Sequence, residues 1–237
     1  LSGPTWNLGG SSTIEYNGST QESIASDFAF DNLTINNSSG VTVGSNDPTV
    51  DGTLTLTSGN LITTSGSVTA DAVSGGGITS YVEGPLTITG NGTKTFPIGD
   101  GSAYRPVTVT GTTGNTSFSV TYQDPGGTPQ SPLVRISSIR YWQGTGTVNG
   151  TVQLTYGGDD GVGNTTTLRV ARSATVGGNY FNVGNTATVG STITSNTVTS
   201  LGYFTLGTIA FDNSLPVTLT SFTANANFGV VELQWIT

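Results

Sequence analysis

The chain contains no Cys and no His, so thiolate nucleophiles, imidazole bases and zinc–thiolate centres are excluded. Any chemistry falls to carboxylates and hydroxyls. The densest group of hard oxygens is Gly157-Gly-Asp-Asp-Gly-Val-Gly-Asn164, where Asp159, Asp160 and Asn164 are candidate calcium ligands. The spacing is not that of an EF-hand loop, and Asp-Asp-Gly is better explained as hairpin-turn chemistry. No cofactor is expected, and calcium is the one ion these residues could take. Acid–base catalysis needs a carboxylate paired with a second acid or with a cation. Residues 1–90 carry Glu15, Glu22, Asp27, Asp31, Asp47, Asp51, Asp71 and Glu83 but no Lys or Arg, and most of these acids fall in turns. No catalytic residue is expected, and the chain reads as non-enzymatic.

Hydroxyls are the other resource. Thr53-Leu-Thr-Leu-Thr57 places three Thr on one strand face, a pattern that on a flat sheet can bind ice or a crystalline polysaccharide. Thr makes up roughly one residue in five, however, so Thr-x-Thr runs arise throughout. The Asn-x-Ser/Thr sequons at Asn17, Asn32, Asn91, Asn115 and Asn149 mark exposed loops for the same reason.

The elements that must position these groups are strands. Of the 237 residues 33% are hydrophobic and 8% charged, and Thr, Ser, Gly and Asn fill the difference. Thr is stiff at χ1 and tolerates water, which suits a half-exposed pleated strand. Helix formers are scarce. The length is that of one large domain or two small ones, enough to bury a core without disulfides. The missing initiator Met predicts a mature chain whose signal peptide has been removed, outside the cell or on its surface. No apolar run approaches the length of a membrane span, so no membrane insertion is expected. A net charge of −8 without a basic patch excludes nucleic-acid binding.

An all-β chain in three parts is predicted. In residues 1–95, Leu33-Thr-Ile35 and Val41-Thr-Val43 return about 21 positions later as Leu54-Thr-Leu56 and Leu61-Ile62. Turn chemistry separates them at Asn37-Ser-Ser-Gly40, Ser58-Gly59 and Ser74-Gly-Gly-Gly77. This period fits a β-solenoid-like region of stacked coils, and an antiparallel meander is the alternative. Residues 96–212 follow a Pro- and Gly-punctuated boundary. Their strand-like runs are Val107–Thr110, Phe118–Tyr122, Ile136–Tyr141, Val152–Tyr156, Leu168–Ala171, Tyr180–Val183, Thr192–Val198 and Tyr203–Leu206. Count and spacing suggest an immunoglobulin-like β-sandwich, with Tyr141 and Trp142 as core anchors. Residues 213–237 hold two further alternating strands.

Three motifs give the chain a family look. Phe96-Pro-Ile-Gly-Asp-Gly with Tyr104-Arg-Pro106, then Ile139-Arg-Tyr-Trp142, then Gly202-Tyr-Phe-Thr-Leu-Gly207 resemble large secreted surface proteins of Bacteroidota. Leu215-Pro-Val-Thr-Leu-Thr-Ser-Phe-Thr-Ala224 with Leu233-Gln-Trp235 resembles a segment that opens a fibronectin-like domain in such proteins. That resemblance implies a type IX secretion sorting signal further on. Thr237 precedes the completion of either.

Two functions fit these features. In the first, the chain is a structural subunit of an extracellular fibre or surface assembly. It would self-associate head to tail into a homopolymer as the C-terminal segment adds strands to a neighbour. Leu215, Val217, Leu219, Phe222, Val231, Leu233 and Trp235 are the expected anchors. In the second, it is an adhesive or carbohydrate-binding module of a larger cell-surface protein, with a glycan or surface ligand as partner. An exposed Tyr or Trp lining a groove distinguishes the second.

Overall fold

The structure is a computed structural model that describes residues 11–215, 221–227 and 230–236. Among these residues the fold is all-β, with one 3₁₀ turn at Gly158–Asp160.

The N-terminal part is β-solenoid-like, because its strands pair in parallel with the next copy of themselves. Each coil has three short sides. On the first, Thr13–Tyr16, Asn32–Asn36, Thr49–Ser58 and Val68–Gly75 stack in register, with Leu33 beside Leu54 and Leu54 beside Val73. On the second, Val41, Leu61, Val82 and Ile98 form a continuous ladder. On the third, Phe30, Val50, Ala70 and Ile88 do the same. Strand alternation turns all of these inward, and Leu33, Leu54, Val41, Leu61, Val82 and Ile98 are fully buried. Parallel stacking at this period excludes the meander, whose neighbours would pair antiparallel. The expected breaks become corners. At one of them Gly59 has φ +73°, and a Cβ there would meet the Asn37 carbonyl oxygen at 1.7 Å. Asn46 ties another corner, donating to the carbonyls of Ile24 at 2.9 Å and Val43 at 2.8 Å.

The end of this stack is capped by a strand of opposite direction. Val107–Thr121 runs antiparallel to Leu86–Ile88 with its C-terminal half and to Gly92–Phe96 with its N-terminal half. Buried Lys94 secures the junction, its ammonium donating to the Ile88 carbonyl at 2.7 Å and the Gly114 carbonyl at 2.6 Å. On its far side Val107–Thr121 pairs with Tyr141–Val148 and Val152–Thr155. Gly202–Thr208 then lies between Tyr141–Val148 and Leu168–Ser173, and Thr192–Thr194 pairs with Val152–Thr155. The sheet thus passes through the expected boundary at residue 96 without a break. One apolar core extends from Ile24 to Leu215 and includes Phe96, Phe118 and Phe204, with ring centroids 5.1 and 6.3 Å apart in turn. Trp142 is fully buried and its indole N–H donates to the Arg105 carbonyl at 3.1 Å.

Two predicted strands are corrected, and in the first, Thr192–Val198, the strand stops at Thr194. The run Ile136–Tyr141 is largely irregular, and the strand begins at Tyr141 and continues to Val148. Within this irregular stretch Arg140 is buried and donates to Asp100 at 2.8 Å.

The C-terminal segment supplies Ser221–Asn227 and Val230–Ile236, an antiparallel pair forming a two-stranded sheet of its own. Among the described residues no helix is long and apolar enough to cross a membrane.

Candidate functional site

Three of the motif segments converge on a single charged cluster. Asp100 sits just after Ile98–Gly99, the last solenoid strand, and Arg105 follows the tight loop that closes there. Arg140 precedes Tyr141–Val148, and the 3₁₀ turn after Val152–Thr155 presents Asp159 and Asp160. Arg140 is fully buried. Its Nε donates to Asp100 at 2.8 Å, its Nη2 to Asp159 at 2.8 Å, and its Nη1 to Asp160. Arg105 pairs with Asp159 and lies 3.3 Å from Asp160 through Nε. Two guanidinium groups therefore face three carboxylates, and each arm of Arg140 holds a different acid.

Burial and charge set the protonation of this cluster in opposite directions. Burial pushes Asp100 up, but the Ser102 hydroxyl and Arg140 outweigh it and hold the carboxyl below the usual range. Asp159 is likewise lowered, Arg140 and Arg105 overcoming its partial burial. Asp160 goes the other way. Its deep burial, reinforced by the adjacent Asp159, raises it despite the Arg140 charge.

Asp159 and Asp160, expected as calcium ligands, are thus brought together as partners of arginines. Asn164 is not with them. Its carboxamide donates to Asp212 at 2.7 Å and accepts from Thr166. Among the described residues no group of three or more acids is arranged to hold a metal ion.

The expected anchors separate in the same way. Leu215 is fully buried in the chain's own core. Beside it buried Asn213 accepts from the backbone N–H groups of Gly163 and Asn164, both at 2.8 Å. Arg135 caps the Asn213 and Ser214 carbonyls. The expected boundary at residue 213 therefore falls inside this packing. Val217 and Leu219 lie outside the described residues. Phe222 opposes Trp235 in the hairpin register, and Val231 and Leu233 are 61% and 51% exposed.

Compared with known proteins, the chain matches no family model, no curated protein and no solved structure.

A groove of about 410 Å³ runs beside the charged cluster, where the solenoid meets the capping strand. Its lining includes Thr64, Glu83, Pro85 and Asp100 together with Thr121 and Tyr122 at the end of the capping strand. Tyr122 is 54% exposed and its ring lies 5.2 Å from the Arg140 guanidinium carbon. The sequence reading missed both cluster and groove. A signal for the cluster was present: in a chain with so few charges, three of the motifs each carry one.

Proposed function

We propose that this chain is a non-catalytic structural module of an extracellular or surface assembly, joined to its neighbour by β-strand addition at the C-terminal hairpin. The observation that carries this is the hairpin itself, two seven-residue strands paired only with each other among the described residues. Two strands alone are marginal in water, and their outer edges present unpaired N–H and C=O groups. Added strands satisfy those groups, and Val231 and Leu233, two apart on one strand, offer apolar contact to whatever is added. Repeated from copy to copy, such a contact is heterologous and gives an open filament. The solenoid carries acids and no base through residue 90, whereas the six bases and six acids of the rest balance. A contact between unlike regions of two copies therefore avoids the repulsion that two acidic solenoids would meet. We read that half as the immunoglobulin-like sandwich and the ion cluster as the clamp that fixes it to the solenoid. No cofactor enters this reading, since Asp159 and Asp160 serve the arginines.

Negative-stain electron microscopy of the full chain and of a chain ending at Leu215 tests the proposal. The cut is placed after Leu215 because that side chain belongs to the core. Filaments that vanish on truncation support strand addition. Monomers in both samples overturn it, and the adhesive module of a larger surface protein becomes the better reading.

A further inference from the structure

We infer that the groove between the solenoid and its capping strand is a binding site for a neutral glycan chain, independent of any assembly through the hairpin. Its volume of about 410 Å³ lies in the range of small-ligand sites, and its walls combine the three kinds of group that sugar rings require. Tyr122 supplies an aromatic face. The polarised C–H bonds of a pyranose meet the negative face of such a ring, and a tyrosine offers this area with only two torsions to fix.

Tyr122 is also held in place before any ligand arrives. Arg140 lies against its ring, and Arg140 is immobilised by Asp100, Asp159 and Asp160. The residue remains 54% exposed in spite of that contact, so it is supported by Arg140 yet open to solvent. Preorganisation of this kind raises affinity by removing the ordering cost from the binding step. Glu83 contributes a carboxylate, half-buried in the same lining, that can accept from two neighbouring sugar hydroxyls. Thr64 and Thr121 add hydroxyls that donate or accept as needed.

Charge selects the class of glycan. The acids at the groove are Glu83 and Asp100, and the nearby cation, Arg140, is fully buried and committed to three carboxylates. The solenoid that forms one wall carries acids and no base through residue 90. Uronic-acid or sulfated chains meet repulsion here, and neutral chains do not.

Isothermal titration of the full chain with cellohexaose, xylohexaose, mannohexaose and hexagalacturonate tests the assignment. At least one neutral hexaose is expected to bind, with hexagalacturonate at least about tenfold weaker. Tyr122→Ala should weaken the neutral ligand by about tenfold or more, while Tyr122→Phe keeps most of the affinity. Glu83→Gln, at a partly exposed position, should weaken it by about threefold without a change in melting temperature. The inference is overturned if none of the neutral hexaoses binds, if hexagalacturonate binds as well as they do, or if Tyr122→Ala and Glu83→Gln both bind like the parent. Since hairpin truncation leaves every groove residue in place, loss of filaments does not bear on this result.

Discussion

Between Ile14 and Ile98 the parallel ladders join a residue to its counterpart one coil later, Leu33 to Leu54 and Val50 to Ala70. In the second half a single strand, Val107–Thr121, takes partners from Leu86–Ile88 as well as from Val152–Thr155. The interiors differ as much as the pairing. The solenoid buries apolar side chains in repeated ladders and keeps its acids out of that interior. Glu15, Glu22, Asp51, Asp71 and Glu83 nevertheless fall in strands and not in the turns expected for them, while Asp31 accepts from Ser12 and Asp47 from Ser67. The antiparallel half buries a guanidinium and joins it to three acids drawn from two segments, Asp100 after the last solenoid strand and Asp159 with Asp160 in the 3₁₀ turn. Stability in the first region is spread over near-equivalent coils, each supported by its neighbours. In the second it is concentrated on a few groups whose removal leaves uncompensated buried charge.

That contrast can be broken at its strongest point. Arg140→Ala leaves Asp100 and Asp160 buried without their main partner, and a loss of about 3–5 kcal/mol is expected in a denaturant melt. A loss under about 1 kcal/mol would mean that the cluster is not a clamp.

A single coil should matter less. Leu54→Ala opens a cavity between Leu33 and Val73, and about 2–4 kcal/mol should be lost in the same measurement. Because the ladder continues on both sides, the parallel stack should persist, which hydrogen exchange of the flanking coils would show.

The smallest effect expected comes from pH. Asp100 and Asp159 have lowered pKa values in the folded state, so they contribute stability above the ordinary carboxylate range. That contribution is lost as the pH falls through their folded values, below about pH 4. Asp160 is raised, so its contribution has the opposite sign, present at low pH and lost as pH rises through its folded value. The melting temperature should therefore fall in acid, by less than two lowered carboxylates alone would impose. In Arg140→Ala that slope should flatten, because the guanidinium that lowers both acids is gone.

The all-β class was legible from composition. Alternating apolar and Thr residues leave no other regular structure able to bury one face. The solenoid period was legible too, since Leu33-Thr-Ile35 and Leu54-Thr-Leu56 are copies that ended as neighbours. Local pattern carries this information because a stacked coil pairs with its own repeat. What local pattern cannot carry is the partner of a residue far along the chain. Asp159 and Asp160 read first as a hairpin turn and only weakly as cation ligands, and Arg140 as a polar neighbour of a core Trp. Only the tertiary structure brings Asp100, Arg105, Arg140, Asp159 and Asp160 to one point, because the capping strand turns the chain back across the end of the solenoid. The same return brings Tyr122 and Glu83 into the lining of one groove, a juxtaposition with no trace in their spacing.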